Sequence, residues 1–170
     1  MISKAFGAAL IIAGCSGTGI SIANALCRRE AMLKQLIQVI EFMTNELQYR
    51  LTPLPDLCIQ AGNLLGGALG RVFLNLEQEL ELRISSDVCN CMEASIAKET
   101  NLPVEIRQHL TRLGNVLGRY DLPGQLQLLH SVCSDCRESL RILKSEKKAQ
   151  IRFYRSLGIC TGAVLTILLA

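Results

Sequence analysis

Residues 5–27 read AFGAALIIAGCSGTGISIANALC and contain no charged side chain. As an α-helix this stretch would extend about 34 Å, which exceeds the roughly 30 Å thickness of the hydrocarbon core of a bilayer. Lys4 precedes the stretch, and Arg28 and Arg29 follow it. The sequence therefore predicts an N-terminal transmembrane helix with a short tail in residues 1–27, which tethers the charged remainder of the chain to a membrane.

Small residues recur at every fourth position of this stretch. Small side chains at that spacing allow the backbone of a second helix to approach closely. The stripe is therefore a candidate transmembrane packing surface, although alanine and glycine are also common in spans that make no such contact. Its members are Ala5, Ala9, Ala13, Gly17, Ser21 and Ala25.

Two alternatives to a membrane span remain open for the same stretch. A basic start followed by an apolar run is also typical of a cleaved signal peptide, although the run is long for one and ends in two arginines. Residues 12–15 read IAGC and resemble a bacterial lipobox, in which Cys15 would carry a lipid. A lipobox is usually followed by a polar tether, whereas twelve mostly apolar residues follow Cys15.

A second uncharged segment covers residues 156–170, and every charged residue except Lys4 lies between Arg28 and Arg155. Residues 156–170 predict a short C-terminal transmembrane segment, and a buried hydrophobic tail is the alternative that remains open. Basic residues flank both segments on the side of the middle domain, so the positive-inside rule places residues 28–155 in the cytoplasm. The net charge of +3 is small and the basic residues are dispersed, which disfavours nucleic-acid binding.

The middle domain shows apolar residues at three- and four-residue steps, which predicts an all-α fold. Sequence signals that end helices divide it into six helices. We expect the second helix over residues 57–65 with Asp56 as its cap, and a loosened chain at Gly66 and Gly67. Further breaks follow at residues 85–87, 101–103 and 117–125, and Ser85, Ser86 and Asp87 supply a cap signal for the fourth helix.

His130, Cys133 and Cys136 form the most site-like cluster, and Cys89 and Cys91 lie elsewhere. Together they form a candidate set of metal or thiol ligands. However, the two later cysteines fall on the apolar stripe of a long helix, where buried cysteine behaves as a small hydrophobe. The glycine-rich residues 66–70 lack the lysine of a phosphate-binding loop, and His109 is expected on a solvated face near arginines. We therefore expect no catalytic residues, no metal and no cofactor.

Several stretches in this order resemble the stage III sporulation protein AB family of endospore-forming bacteria. They are the N-terminal span, LTPLP at residues 51–55, LGRYDLPGQ at 117–125, a long basic helix, and SLG at 156–158 opening a short C-terminal span. The resemblance covers essentially the whole chain. Its recurrent positions fall on Thr52, Pro53, Leu54, Pro55, Gly118, Asp121 and Gln125, which are candidates for either a structural motif or a partner surface.

The resemblance implies an antiparallel six-helix bundle between two terminal transmembrane helices, similar to the helical domain of the type II secretion F protein. It implies a non-enzymatic component of the apparatus that links mother cell and forespore, located in the mother-cell membrane. The implied partners are a cytoplasmic secretion-type ATPase and other membrane subunits. The predicted spans themselves imply the lipid bilayer as a partner, and whether the chain forms a homo-oligomer stays open.

Overall fold

A computed structural model describes the backbone of residues 2–82, 87–118 and 121–169, and side-chain surroundings for residues 24–82, 87–118 and 121–147. These described residues form six helices and no strand, which confirms the all-α prediction. The helices are α1 (Ile2–Tyr49), α2 (Leu54–Leu65), α3 (Gly67–Glu81), α4 (Val88–Ala97), α5 (Val104–Val116) and α6 (Leu122–Leu169).

The chain divides into two compact units. One comprises residues 1–30 and 140–170, and the other comprises residues 31–139. Within the described residues, no helix combines the length and the apolar character that a membrane crossing requires. The side chains of residues 1–23 and 148–170 lie outside that description, so the boundaries given above for the two membrane segments remain predictions.

The core of the unit at 31–139 is built from the apolar stripes that the sequence predicts. Leu33, Leu36, Ile40 and Met43 of α1 are fully buried, as is Phe73 of α3. Burial of side chains of this size stabilises a fold by about 1.5–3 kcal/mol each. In this unit α2 packs on α3, α3 on α4, and α4 on α5.

Two of these helix pairs approach closely because a glycine lies at the contact. A Cβ added to Gly70 would lie 2.6 Å from the carbonyl oxygen of Gly62, so α2 and α3 touch through their backbones there. A Cβ added to Gly114 would lie 2.7 Å from Cβ of Met92, which fixes the spacing of α4 and α5.

Lys147 joins the two helices of the terminal unit, residues 1–30 and 140–170. Its Nζ lies 3.1 Å from Oε2 of Glu30 and 3.2 Å from Sγ of Cys27. Hydrogen bonds to the side chains of Cys27 and Glu30 raise the pKa of Lys147, so this lysine stays charged at neutral pH.

Candidate docking surface at the corner between α1 and α2

α1 ends in a turn that places two large apolar side chains in solvent. Tyr49 is 77% exposed and Leu51 is 66% exposed. Leu51 adopts φ +54, the left-handed conformation in which the β-carbon of an L-residue crowds its own backbone at a cost of about 1–2 kcal/mol. Residues held in such conformations cluster at functional sites, so the turn is a candidate for function.

Glu46 in the last turn of α1 anchors the residues that follow it. Thr52 Oγ1 donates to Oε2 of Glu46 over 2.9 Å, and Arg50 Nη1 lies 3.2 Å from Oε1 of the same carboxylate. The backbone N–H of Arg50 also donates to the carbonyl of Glu46 over 2.9 Å. Thr52 therefore has a positioning role, because its hydroxyl ties the turn back onto α1.

The two prolines of the 51–55 motif start α2. Pro53 is the N-cap residue with φ −57 and ψ 145, Leu54 is the first helical residue, and Pro55 is the second. Proline suits these positions because the first amide groups of a helix have no partner within it. The predicted start at Leu57 is wrong, and so is the prediction of Asp56 as the cap, since no side chain caps α2. Asp56 instead lies in the first turn, where its negative charge interacts favourably with the positive end of the helix dipole.

The second motif meets the first at Gly118, which has φ +74. A Cβ at that position would lie 3.0 Å from Cγ2 of Val88 and 3.9 Å from Cδ2 of Leu54. Two segments that are far apart in the sequence are therefore brought together with the start of α4. We call the surface formed by Tyr49, Leu51, Leu54, Val88 and Gly118 the corner surface.

Asp121 and Gln125 begin α6 beyond this turn. The N–H of Gln125 donates to the carbonyl of Asp121 over 2.9 Å, which is the first hydrogen bond of the helix. Asp121 is exposed, whereas Gln125 is buried. The structure thus places Thr52, Pro53 and Gln125 in structural positions. Of the two large apolar side chains exposed at the corner surface, Leu51 is the first residue of the 51–55 motif and Tyr49 precedes that motif.

Reasoning from sequence assigned no role to Tyr49 and Glu46, and it included Leu51 only as the first residue of the 51–55 motif. The one available signal was the absence of glycine between Tyr49 and Pro53, because a helix that ends before a proline commonly uses glycine for the left-handed residue.

The predicted transmembrane packing stripe lies almost wholly outside the described side chains. This holds for Ala5, Ala9, Ala13, Gly17 and Ser21, and for Cys15 of the lipobox-like sequence. Ala25, the last member of the stripe, is exposed.

The cysteine and histidine cluster is divided between a groove and the core. A groove of about 210 Å³ lies between α1 and α6 of the unit at 31–139, and its lining residues are Glu41, Thr44, Asn45, His130, Cys133 and Arg137. Cys136 is fully buried, and burial raises the pKa of its thiol to about 12. Burial also raises the pKa of Cys133. Metal binding and nucleophilic chemistry require thiolates, which these shifts disfavour.

The described residues contain no group of three or more His, Cys, Asp and Glu side chains placed to hold a metal ion. Cys91 is buried and Cys89 is partly buried near the start of α4, where the N–H of Cys89 donates to the Asp87 carboxylate over 3.2 Å. That hydrogen bond makes Asp87 the cap of α4, and Asp87 is one of the three residues that the sequence offered for this role.

His109 does not lie on a solvated face, as expected from sequence, but is only 6% exposed. Its Nε2 lies 3.1 Å from Oγ of Ser139, and its Nδ1 has no hydrogen-bond partner. Burial is the largest cause of the lowered pKa of His109. The neighbouring arginines misled the prediction because they point elsewhere: Arg107 donates to the carbonyl of Glu99, and Arg112 pairs with Asp135.

Comparison with known proteins identifies a similar fold and a family for this chain. A solved structure titled stage III sporulation protein AB matches with a TM-score of 0.64 and 19% sequence identity, and the match covers 72% of this chain and 98% of that one. At that identity the match shows the helical fold alone. No curated protein matches the sequence. The family model described as stage III sporulation protein AB matches residues 4–170, and the chain therefore belongs to the stage III sporulation protein AB family.

Proposed function

We propose that this protein is a non-enzymatic membrane platform that docks a cytoplasmic secretion-type ATPase. It would act as an assembly component of the secretion-like apparatus between mother cell and forespore that endospore formation requires. In this proposal the protein sits in the mother-cell membrane facing the forespore, with residues 28–155 in the cytoplasm and other membrane subunits beside its spans.

The corner surface carries the docking part of the proposal. Its large exposed side chains, Tyr49 and Leu51, are apolar. The buried carboxylate of Glu46 accepts a hydrogen bond from Thr52 and so ties the turn that carries both side chains to α1. Protein interfaces are enriched in aromatic residues and depleted of charge at their centres. A surface of this kind that is rigid before binding loses little conformational entropy when a partner covers it.

The thiol or metal hypothesis receives no comparable support. The raised thiol pKa values of Cys133 and Cys136 work against thiolate chemistry at neutral pH. The lipid-anchor hypothesis depends on Cys15, and it is tested by lipid labelling of the full chain, which a Cys15→Ala variant would abolish only if Cys15 carries the lipid.

The docking proposal is tested by retention of the ATPase on membranes that contain the full chain. We expect Tyr49→Ala to weaken retention about tenfold or more, since truncating an aromatic hot-spot residue costs about 2 kcal/mol or more of binding, and about 1.4 kcal/mol corresponds to tenfold. Val104→Ala is the matched control, because Val104 is 67% exposed and lies at the start of α5, at the opposite end of that helix from Gly118.

Unchanged retention by the Tyr49 variant, or an equal loss in the Val104 control, would show that the corner surface is not the docking site. Failure of the unmodified chain to retain the ATPase, even after crosslinking, would refute the platform function itself.

A further inference from the structure

Charge is divided unevenly between the two units of the chain. Residues 31–139 carry nine Lys and Arg and thirteen Asp and Glu, a net charge of −4. Residues 1–30 and 140–170 carry nine basic and two acidic residues, a net charge of +7. Since exposed charges are screened over about 8–10 Å in physiological salt, a partner of the terminal unit responds to its local excess and not to the overall +3.

Eight of the nine basic residues in the terminal unit flank the two uncharged stretches, and we call them the basic collar. They follow residues 5–27 and precede residues 156–170 along the chain. Arg28 and Lys144 are both exposed. The collar consists of Arg28, Arg29, Arg141, Lys144, Lys147, Lys148, Arg152 and Arg155.

Contacts within the terminal unit bring the two parts of the collar together. Lys147 of α6 reaches both Cys27 and Glu30 of α1, and Arg28 and Arg29 lie between those two residues in sequence. This contact places the α1 part of the collar beside the turns of α6 that hold Lys144 and Lys147, and Lys147 itself is occupied in joining the helices.

We propose that the basic collar binds the headgroups of anionic phospholipids. The inference rests on the membrane anchoring in the proposed function, and it adds the class of lipid. Clusters of four to eight Lys and Arg beside a membrane span are typical of anionic-lipid binding. One basic side chain near an anionic headgroup favours association about fivefold, whereas the acidic unit at 31–139 gains nothing from such lipids.

The test uses the full chain reconstituted in phosphatidylcholine bilayers that contain a trace of spin-labelled lipid. Electron paramagnetic resonance separates lipid that is immobilised at the protein from bulk lipid. We expect spin-labelled phosphatidylglycerol to associate about fivefold more strongly than spin-labelled phosphatidylcholine at low salt, and the two to become equal in about 1 M salt, where the screening length falls to roughly 3 Å.

A pair of double variants isolates the charge. Arg28→Gln with Lys144→Gln should reduce the preference at least twofold, whereas Arg28→Lys with Lys144→Arg keeps both charges and should preserve it. Equal association of the two lipids at low salt in the unmodified protein would overturn the proposal. So would an equal loss of preference in both double variants.

The same spectra test the anionic-lipid site independently of the membrane anchoring on which this proposal rests. Immobilised phosphatidylcholine without a preference for phosphatidylglycerol would refute the anionic-lipid site and leave the membrane span standing. Absence of an immobilised component for either lipid would refute the span, and the lipid site with it.

Discussion

Replacing Gly118 with alanine perturbs the turn between α5 and α6 in two separable ways. The residue has φ +74, and a β-carbon in that conformation costs about 1–2 kcal/mol. The added carbon would also lie 3.0 Å from Cγ2 of Val88, which is closer than ordinary van der Waals contact. Overpacking of this kind adds about 1 kcal/mol, so the expected loss of unfolding free energy is about 2–3 kcal/mol.

Thermal unfolding of the full chain in detergent, followed by circular dichroism, measures this loss. For a chain of this size 1 kcal/mol shifts Tm by about 2–4 °C, so Gly118→Ala should lower Tm by about 4–12 °C. Gly118→Asn should be less harmful, because asparagine tolerates the left-handed conformation while still crowding Val88. Val88→Ala combined with Gly118→Ala should recover about 1 kcal/mol relative to the sum of the single changes.

Strict additivity of the changes at Gly118 and Val88 would refute the contact between the turn and α4. A Gly118→Ala variant that melts within about 1 °C of the unmodified protein would refute the left-handed turn as well. The first result would remove α4 from the corner surface, and the second would remove the left-handed turn at Gly118 on which that surface depends.

Three further predictions concern single positions. Leu51→Gly should change the free energy of unfolding by less than about 1 kcal/mol, because relief of the left-handed strain offsets the lost packing and the added entropy of the unfolded chain. The same variant should weaken ATPase retention, and a large loss of Tm would contradict this prediction. Gly114→Ala should lower the unfolding free energy in denaturant by about 1–3 kcal/mol, and adding Met92→Ala should not restore it, because the Cβ 2.7 Å away remains. The lowered pKa of His109 means that the neutral ring is favoured in the folded state, so its contribution to stability is present above pH 6.5 and is lost as pH falls through the folded-state pKa. His109→Gln should remove this part of the pH profile and His130→Gln should not, whereas identical profiles for the two variants would be the contrary result.

The order of helices was predictable because the signals are local. The stripe from Leu33 to Met43 and the cap at Asp87 each depend on residues within a few turns of one another, and both are found in the structure. The break at Gly66 and Gly67 was likewise predicted, and both residues have positive φ. Helix starts were less accurate, because Pro53 and Pro55 can either end an extended segment or begin a helix.

The site was not predictable to the same degree because it depends on contacts between distant segments. Nothing local indicates that Gly118 packs beside Leu54, which precedes it by more than sixty residues. The burial of His109 involves a contact with Ser139 of α6, which lies thirty residues along the chain and outside the window that a periodicity argument uses. The left-handed Leu51 carries no signal in its residue type.

Leu51 links the fold to the proposed function because it combines a strained left-handed backbone with an exposed apolar side chain, and both are unfavourable. Its left-handed backbone would be satisfied at lower cost by glycine, and its 66% exposed position would suit a polar side chain. The fold requires neither the β-carbon nor the apolar side chain of Leu51, since the turn is already held by Glu46, Thr52 and the prolines. A partner that covers Leu51 and Tyr49 accounts for both costs at once. In the proposed docking, Thr52 and the two prolines position the corner, and Leu51 at the start of the motif together with the preceding Tyr49 would contact the partner.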